Sequence, residues 1–308
     1  MSDPVRDAEA ILRQAVGERL ETGFPLAPLT TFRIGGPADL FLEPESIEDL
    51  GAVARAHRET GVPVVVIGKG SNVLIADSGF RGIVIRMGGG FRWSARDGDL
   101  VSAGAAMPLG ALAGVAWRHS LSGLEFGVAI PASFGGAVSM NAGAHGGSMS
   151  EIVDSIDCFS VDSSESRRIR ASEAGFVYRG SALPGLVVAA TVRLTPRSPE
   201  DIRREMDEVR EWRRANQPLA EPNCGSVFRN PPGDHAARMI EAAGGKFLAV
   251  GAAAVSLKHA NFITTTKGAT AADVVTLIER VQEAVEDMFG VRLDREVHLL
   301  GETGIAAR

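Results

Sequence analysis

The stretch VIGKGSNVLIADSGF, residues 66–80, decides how the chain is read. The G-x-x-x-x-G-K-[ST] spacing of a nucleotide triphosphate loop is absent, and there is no third glycine for a dinucleotide fingerprint. A β-like run, NVLIAD, follows where that fingerprint would open a helix. What remains is strand, then Gly68, Lys69, Gly70, Ser71 and Asn72, then a second strand carrying Val73 and Leu74. Two glycines expose successive backbone N–H groups as an anion nest, and the Ser71 hydroxyl and Asn72 amide add donors, which suits a pyrophosphate. A glycine hairpin with polar decoration is the plainer alternative.

Working outward, composition limits the choices. The 308 residues allow two domains, and 45% hydrophobic with 23% charged residues describe a globular chain. A net charge of -6 argues against general nucleic-acid binding. No run reaches the ~18 apolar residues of a membrane span. The N-terminus reads as a polar amphipathic helix without a signal-peptide core, so a cytoplasmic protein is expected. Two cysteines without metal-ligand spacing fit a reducing compartment, and no metal site is expected. Glycine is the anomaly, with 36 residues, where the usual share is ~7%.

Residues 46–60 read as a helix and VPVVVIG (62–68) as a buried strand. Short β-like runs fill 80–194, interrupted by a helix at 108–120. TPRSPED (195–201) reads as a linker, placing a break near 197, and a charged helix follows at 201–216. Thr270 and Asp273 form a capping-box pattern. Val274, Leu277, Val281, Val285 and Met288 repeat at helical spacing toward a core, and Gly290 can end that helix. VRLDREVHLL (291–300) alternates as a strand, with Asp294, Glu296 and His298 on its polar side. The chain is therefore α+β.

A second glycine region, GLEFGVAIPASFGGAVSMNAGAHGGSMSEI (123–152), includes Gly135, Gly136, Asn141, Ala142 and Gly143. Small residues over such a length mean either that a planar ligand lies on the backbone or that backbones cross closely. A cofactor ring is the more economical reading, with the two glycine loops gripping the ends of one dinucleotide.

TTFRIGGPADLF, GKGSNVLIADSGF, GLEF, GGAVSMNAGA, VYRGS, QPLAEPNCGSVFRNP, HANFI and EVHLLG follow in this order. Together they resemble the UDP-N-acetylenolpyruvoylglucosamine reductase (MurB) family, from about residue 29 to 301. A short ALPG after VYRGS resembles the class that lacks an inserted tyrosine loop.

The resemblance implies a two-part FAD-binding domain of the vanillyl-alcohol-oxidase type and a C-terminal α+β substrate-binding domain. The expected division is a lead-in at 1–28, the FAD-binding domain at 29–196 and the substrate domain at 197–308. It also implies non-covalent FAD, NADPH as co-substrate, a UDP-sugar enolpyruvyl ether as substrate, and a monomer. His145, Ala132 and Ala254 depart from the family's usual Tyr, Gly and Gln, and FITTT replaces FIVN.

Reducing an enol ether requires a cation on the attached carboxylate, a second polar group near it and a proton donor at the other carbon. The resemblance assigns these to Arg179, Glu296 and Ser226. Read without it, Arg179 is a surface arginine at a strand end and Glu296 a solvated carboxylate. Cys224 competes with Ser226, but it has no helix-start context or assigned histidine to lower its pKa, so it reads as a structural thiol. Tyr178, Asn230 and His259 are expected at the substrate, and Arg213 with Gln217 at its diphosphate. Cations closing the helix of 201–216 and a satisfied core histidine are the bland accounts. Two other functions stay open: an oxidase or dehydrogenase of the same fold, and a non-catalytic nucleotide-sugar-binding protein. No histidine in 68–72 could attach a flavin covalently, and Arg179, Ser226 and Glu296 are all retained.

Overall fold

The computed structural model describes residues 3–301 and 304–305. The chain divides into two compact units, and both are discontinuous. The first gathers the chain up to Thr22, Asp39–Lys69 and Gly82–Trp212; the second gathers Gly23–Ala38, Gly70–Arg81 and the chain from Arg213 on. Two short segments from early in the sequence thus belong with the C-terminal part, a grouping that a contiguous division does not express.

In the first unit, Asp3 caps the helix Pro4–Val16, which buries Ala8, Leu12 and Val16. Ser46 caps the helix Ile47–Thr60, and Gly61 closes it at φ 73°. These helices pack with Leu40, Leu42, Ile83 and Ile85 in one core. Val64–Val66 runs parallel to Phe80–Ile85. It lies at the edge of its sheet and is only half-buried, not buried as the apolar run VVV suggests.

A five-stranded sheet runs in the order Ser166–Arg170, Val153–Phe159, Leu186–Arg193, Leu100–Gly104, Ser94–Asp97. The helix Leu109–Arg118 packs against its core, with Leu109, Leu112, Phe134, Ile156 and Val192 buried together. The expected linker is bonded: Thr195–Pro196 pairs with Leu121–Ser122. The charged helix then begins at Pro199, and the two units divide within it, after Trp212.

In the second unit, the helix Ala271–Phe289 opens with the expected capping box and ends at Gly290, φ 66°. Asp77 adds a further cap, accepting from Ala271 N at 2.8 Å and Ala272 N at 3.2 Å. Val274, Leu277, Val281 and Val285 are buried as expected, but Met288 is 57% exposed. Phe289 packs on the core in its place, next to the turn at Gly290.

The expected strand 291–300 is shorter: only His298–Gly301 forms a strand, parallel to Val73–Ile75. Residues upstream bond instead to 227–229, through a single bridge between Phe228 and Arg295. Leu293, Val297 and Leu300 are the buried positions, so alternation fails where no regular ladder enforces it. No helix among the described residues is long and apolar enough to cross a membrane.

Candidate active site

Residues 68–72 form a bend and turn between the strands Val64–Val66 and Val73–Ile75. None of their five backbone N–H groups donates to an acceptor among the described residues. Gly70 is buried at φ 60°, and a Cβ there would lie 2.1 Å from the Leu29 carbonyl oxygen. A buried peptide N–H without an acceptor is costly, so this run fits an anion that takes such bonds. The Asn72 side chain is placed differently from the expectation: its Nδ2 donates to the Glu296 carbonyl at 3.3 Å.

The second glycine region behaves otherwise. Gly135 N donates to Ala105 O at 3.0 Å, and a Cβ at Gly135 would meet the Ala105 Cβ at 2.7 Å. Gly136 N donates to Ser133 Oγ at 3.3 Å. Asn141 N and Ala142 N donate to Val138 O and Ala137 O. A Cβ at Gly143 would stand 2.8 Å from Gly147 O. Close backbone crossing therefore accounts for these small residues, and the amides of Gly135, Gly136, Asn141 and Ala142 are engaged within the chain. The two regions do meet within the first unit: Cβ atoms at Gly68 and Gly136 would stand 2.6 and 3.1 Å from the same Ser133 Oγ. Along the run 68–72 itself, unengaged amides suit a diphosphate such as that of FAD.

Tyr178 and Arg179 occupy the tip of a two-residue turn in the first unit, closed by Val177 N to Gly180 O at 3.0 Å and Gly180 N to Val177 O at 3.2 Å. Arg179 is left-handed, φ 56°, and its guanidinium lies 4.9 Å from the exposed Tyr178 ring. His145, also left-handed at φ 50°, packs edge-on against Trp212 at 4.9 Å.

The backbone segments that carry Ser226 and Glu296 meet in the second unit. Glu296 N donates to Val227 O at 2.7 Å, next to Ser226. Buried Asn261 fixes the segment: its Oδ1 accepts from Phe228 N at 2.9 Å, and its Nδ2 donates to Phe228 O at 2.8 Å. The sequence points to His259 here and not to Asn261, two residues on in the same HANFI motif. Gly225 turns at φ 80°, with its N–H on Asn223 Oδ1. Cys224 is 4% exposed, and burial raises its thiol pKa, with a further rise from the nearby Glu296 charge. Such a thiol is a poor nucleophile.

The remaining candidates separate. Arg213 is half-buried and bonds Gln217 through Nε to Oε1 at 2.8 Å, so these two do form a pair. Burial lowers the Arg213 pKa. Asn230 accepts from Ala236 N at 3.1 Å, at the start of the helix Ala236–Ala242. His259 Nδ1 accepts from Asn261 N at 3.2 Å, and burial holds its pKa below the ordinary value. Its ring also packs edge-on to Phe262 at 4.7 Å.

Comparison with known proteins adds the wider context. An FAD-binding-domain model matches residues 38–165, and a model of the C-terminal domain of UDP-N-acetylenolpyruvoylglucosamine reductase matches residues 217–300. A protein of that name from Heliobacterium modesticaldum is 46% identical over 284 residues, covering 91% of this chain and 90% of its own. The crystal structure of the Thermus caldophilus reductase is similar at a TM-score of 0.79 and 37% identity, over 91% of this chain and 98% of that one. Berberine bridge enzyme from Eschscholzia californica shares the fold alone: TM-score 0.50, 15% identity, 63% of this chain and 44% of that one.

Proposed function

The chain belongs to the UDP-N-acetylenolpyruvoylglucosamine reductase family, and from that premise we propose how its residues divide the reaction. Its fold is an FAD-binding domain of the vanillyl-alcohol-oxidase type followed by the family's C-terminal domain. It is an FAD-containing oxidoreductase that reduces the enolpyruvyl ether of UDP-N-acetylglucosamine enolpyruvate to UDP-N-acetylmuramate, for peptidoglycan precursor synthesis. NADPH is the proposed source of electrons, and the cytoplasm the proposed setting.

Bound FAD supplies the hydride that the enol ether receives. The backbone amides of 68–72 hold the cofactor's diphosphate, with Val73 and Leu74 continuing that wall; Gly135, Gly136, Asn141, Ala142 and Gly143 line the cofactor by shape. Arg179 grips the substrate carboxylate with two parallel N–H bonds, a geometry open to a guanidinium fork. Glu296 works on the same carboxylate as negative charge builds there. Ser226 donates the proton to the carbon that does not take hydride. Arg213 and Gln217 contact the UDP diphosphate, and Tyr178, Asn230 and His259 bound the sugar-bearing substrate.

What supports the division most directly is the 2.7 Å bond from Glu296 N to Val227 O, which brings the backbone of Glu296 against the residue that follows Ser226. The test is a visible spectrum of the purified protein followed by NADPH consumption with and without the enolpyruvyl substrate. The expected result is a yellow protein that releases FAD on denaturation and consumes NADPH in proportion to substrate. A colourless protein that takes up no added FAD would overturn the proposal. A yellow one indifferent to the substrate would favour an oxidase of the same fold.

A further inference from the structure

The Arg179 turn has little packing of its own, since Val177 is 62% and Tyr178 51% exposed. It also carries a left-handed residue with a Cβ, a conformation that L-residues other than glycine and asparagine disfavour. Something outside the turn must hold it. Among the described residues, two side-chain hydrogen bonds tie it to the segment 139–141. Asn141 Nδ2 donates to Val177 O at 2.9 Å, the same carbonyl that closes the turn with Gly180 N. Ser181 Oγ donates to Ser139 O at 2.6 Å on the other side. Asn141 is itself fixed: it is 7% exposed, and its Oδ1 accepts from Ser150 N at 2.9 Å. At φ 41° its backbone is left-handed, which asparagine tolerates. Both side-chain polar atoms of Asn141 are therefore bonded to backbone on either side of it.

We propose that Asn141, seconded by Ser181, is a positioning residue for Arg179, so that one glycine-rich segment sets both the cofactor wall and the angle of the arginine fork. The inference rests on reading Arg179 as the substrate's carboxylate ligand. A fork that must meet a planar carboxylate tolerates little tilt, and small misplacements of a positioned group cost about 10²-fold in rate.

The test is a double-mutant cycle on the FAD-loaded enzyme, reading kcat and KM for the enolpyruvyl substrate. Asn141→Asp keeps the size, the left-handed tolerance and the acceptor for Ser150, but turns a carboxylate oxygen toward the Val177 carbonyl. It is expected to lower kcat/KM by ~10- to 100-fold, with Ser181→Ala doing less. In an Arg179→Ala background neither change should lower it further, because residues acting through a common group are not additive. An equal loss in both backgrounds would mean that Asn141 acts elsewhere, at the cofactor for instance, and would overturn the proposal. So would unchanged kinetics in Asn141→Asp. If Asn141→Asp does not fold, the Ser181→Ala cycle decides by the same criterion. Near-native activity in Arg179→Ala alone would be a different failure, of the reading on which the inference stands.

Discussion

Residues 177–180 and 224–230 each carry a candidate catalytic side chain, and they hold it by opposite means. The first is an exposed turn that closes on itself, strained at Arg179 and tied down from outside by Asn141 and Ser181. The second is an irregular run, turned at Gly225, with Val227 and Phe228 buried and Asn261 gripping both polar groups of Phe228. A long cationic fork needs a tip from which to reach, and the strain there is tolerated because surrounding bonds over-determine it. A short hydroxyl has no reach, so the backbone beneath Ser226 must itself be fixed. The difference implies that stability and activity are separable at Arg179 and coupled at the serine segment.

The largest stability effect should come from the second region. Asn261→Ala leaves the buried N–H and carbonyl of Phe228 without partners, and each such group costs about 1–3 kcal/mol. Denaturant unfolding should show a loss of about 2–5 kcal/mol. A change below about 0.5 kcal/mol, the range of ordinary surface substitutions, would mean that the serine segment is not braced as described. The smaller effect should have the opposite sign. Arg179→Gly removes a left-handed Cβ and should stabilise the fold by about 1 kcal/mol while activity collapses. Lost stability in that variant would show that the guanidinium, not the fold around it, holds the turn.

Much of this was legible beforehand, and the failures have physical causes. The capping box at Thr270, the helix face of Val274 to Val285 and the turn at Gly290 could be read because local chemistry alone dictates them. The strand 291–300 could not, because its partners are distant in sequence: a lone bridge joins Arg295 to Phe228, and the ladder of His298–Gly301 is with Val73–Ile75. Glycine was misleading in an instructive way. Composition treats 68–72 and 135–147 alike, yet the first leaves its amides open, whereas the second commits most of its amides to the chain and uses glycine to let backbones cross. Asn261 was missed because a buried asparagine looks like any other polar residue until its partners are known. The discontinuous second unit follows from the long-range pairing of Val73–Ile75 with His298–Gly301, which no local signal announces.

Ser226 as proton donor, with Cys224 inert beside it, is the claim on which the proposed chemistry turns. Stopped-flow absorbance can separate the two halves of the cycle in Ser226→Ala and Cys224→Ala. Reduction by NADPH needs no proton donor for the enol ether, so both variants should keep it. Oxidation by the enolpyruvyl substrate should slow by ~10²- to 10⁴-fold in Ser226→Ala, the usual cost of losing a positioned acid. It should change little in Cys224→Ala, because a buried thiol with a raised pKa has no part in the transfer. Normal oxidation in Ser226→Ala, or its collapse in a folded Cys224→Ala, would contradict the account.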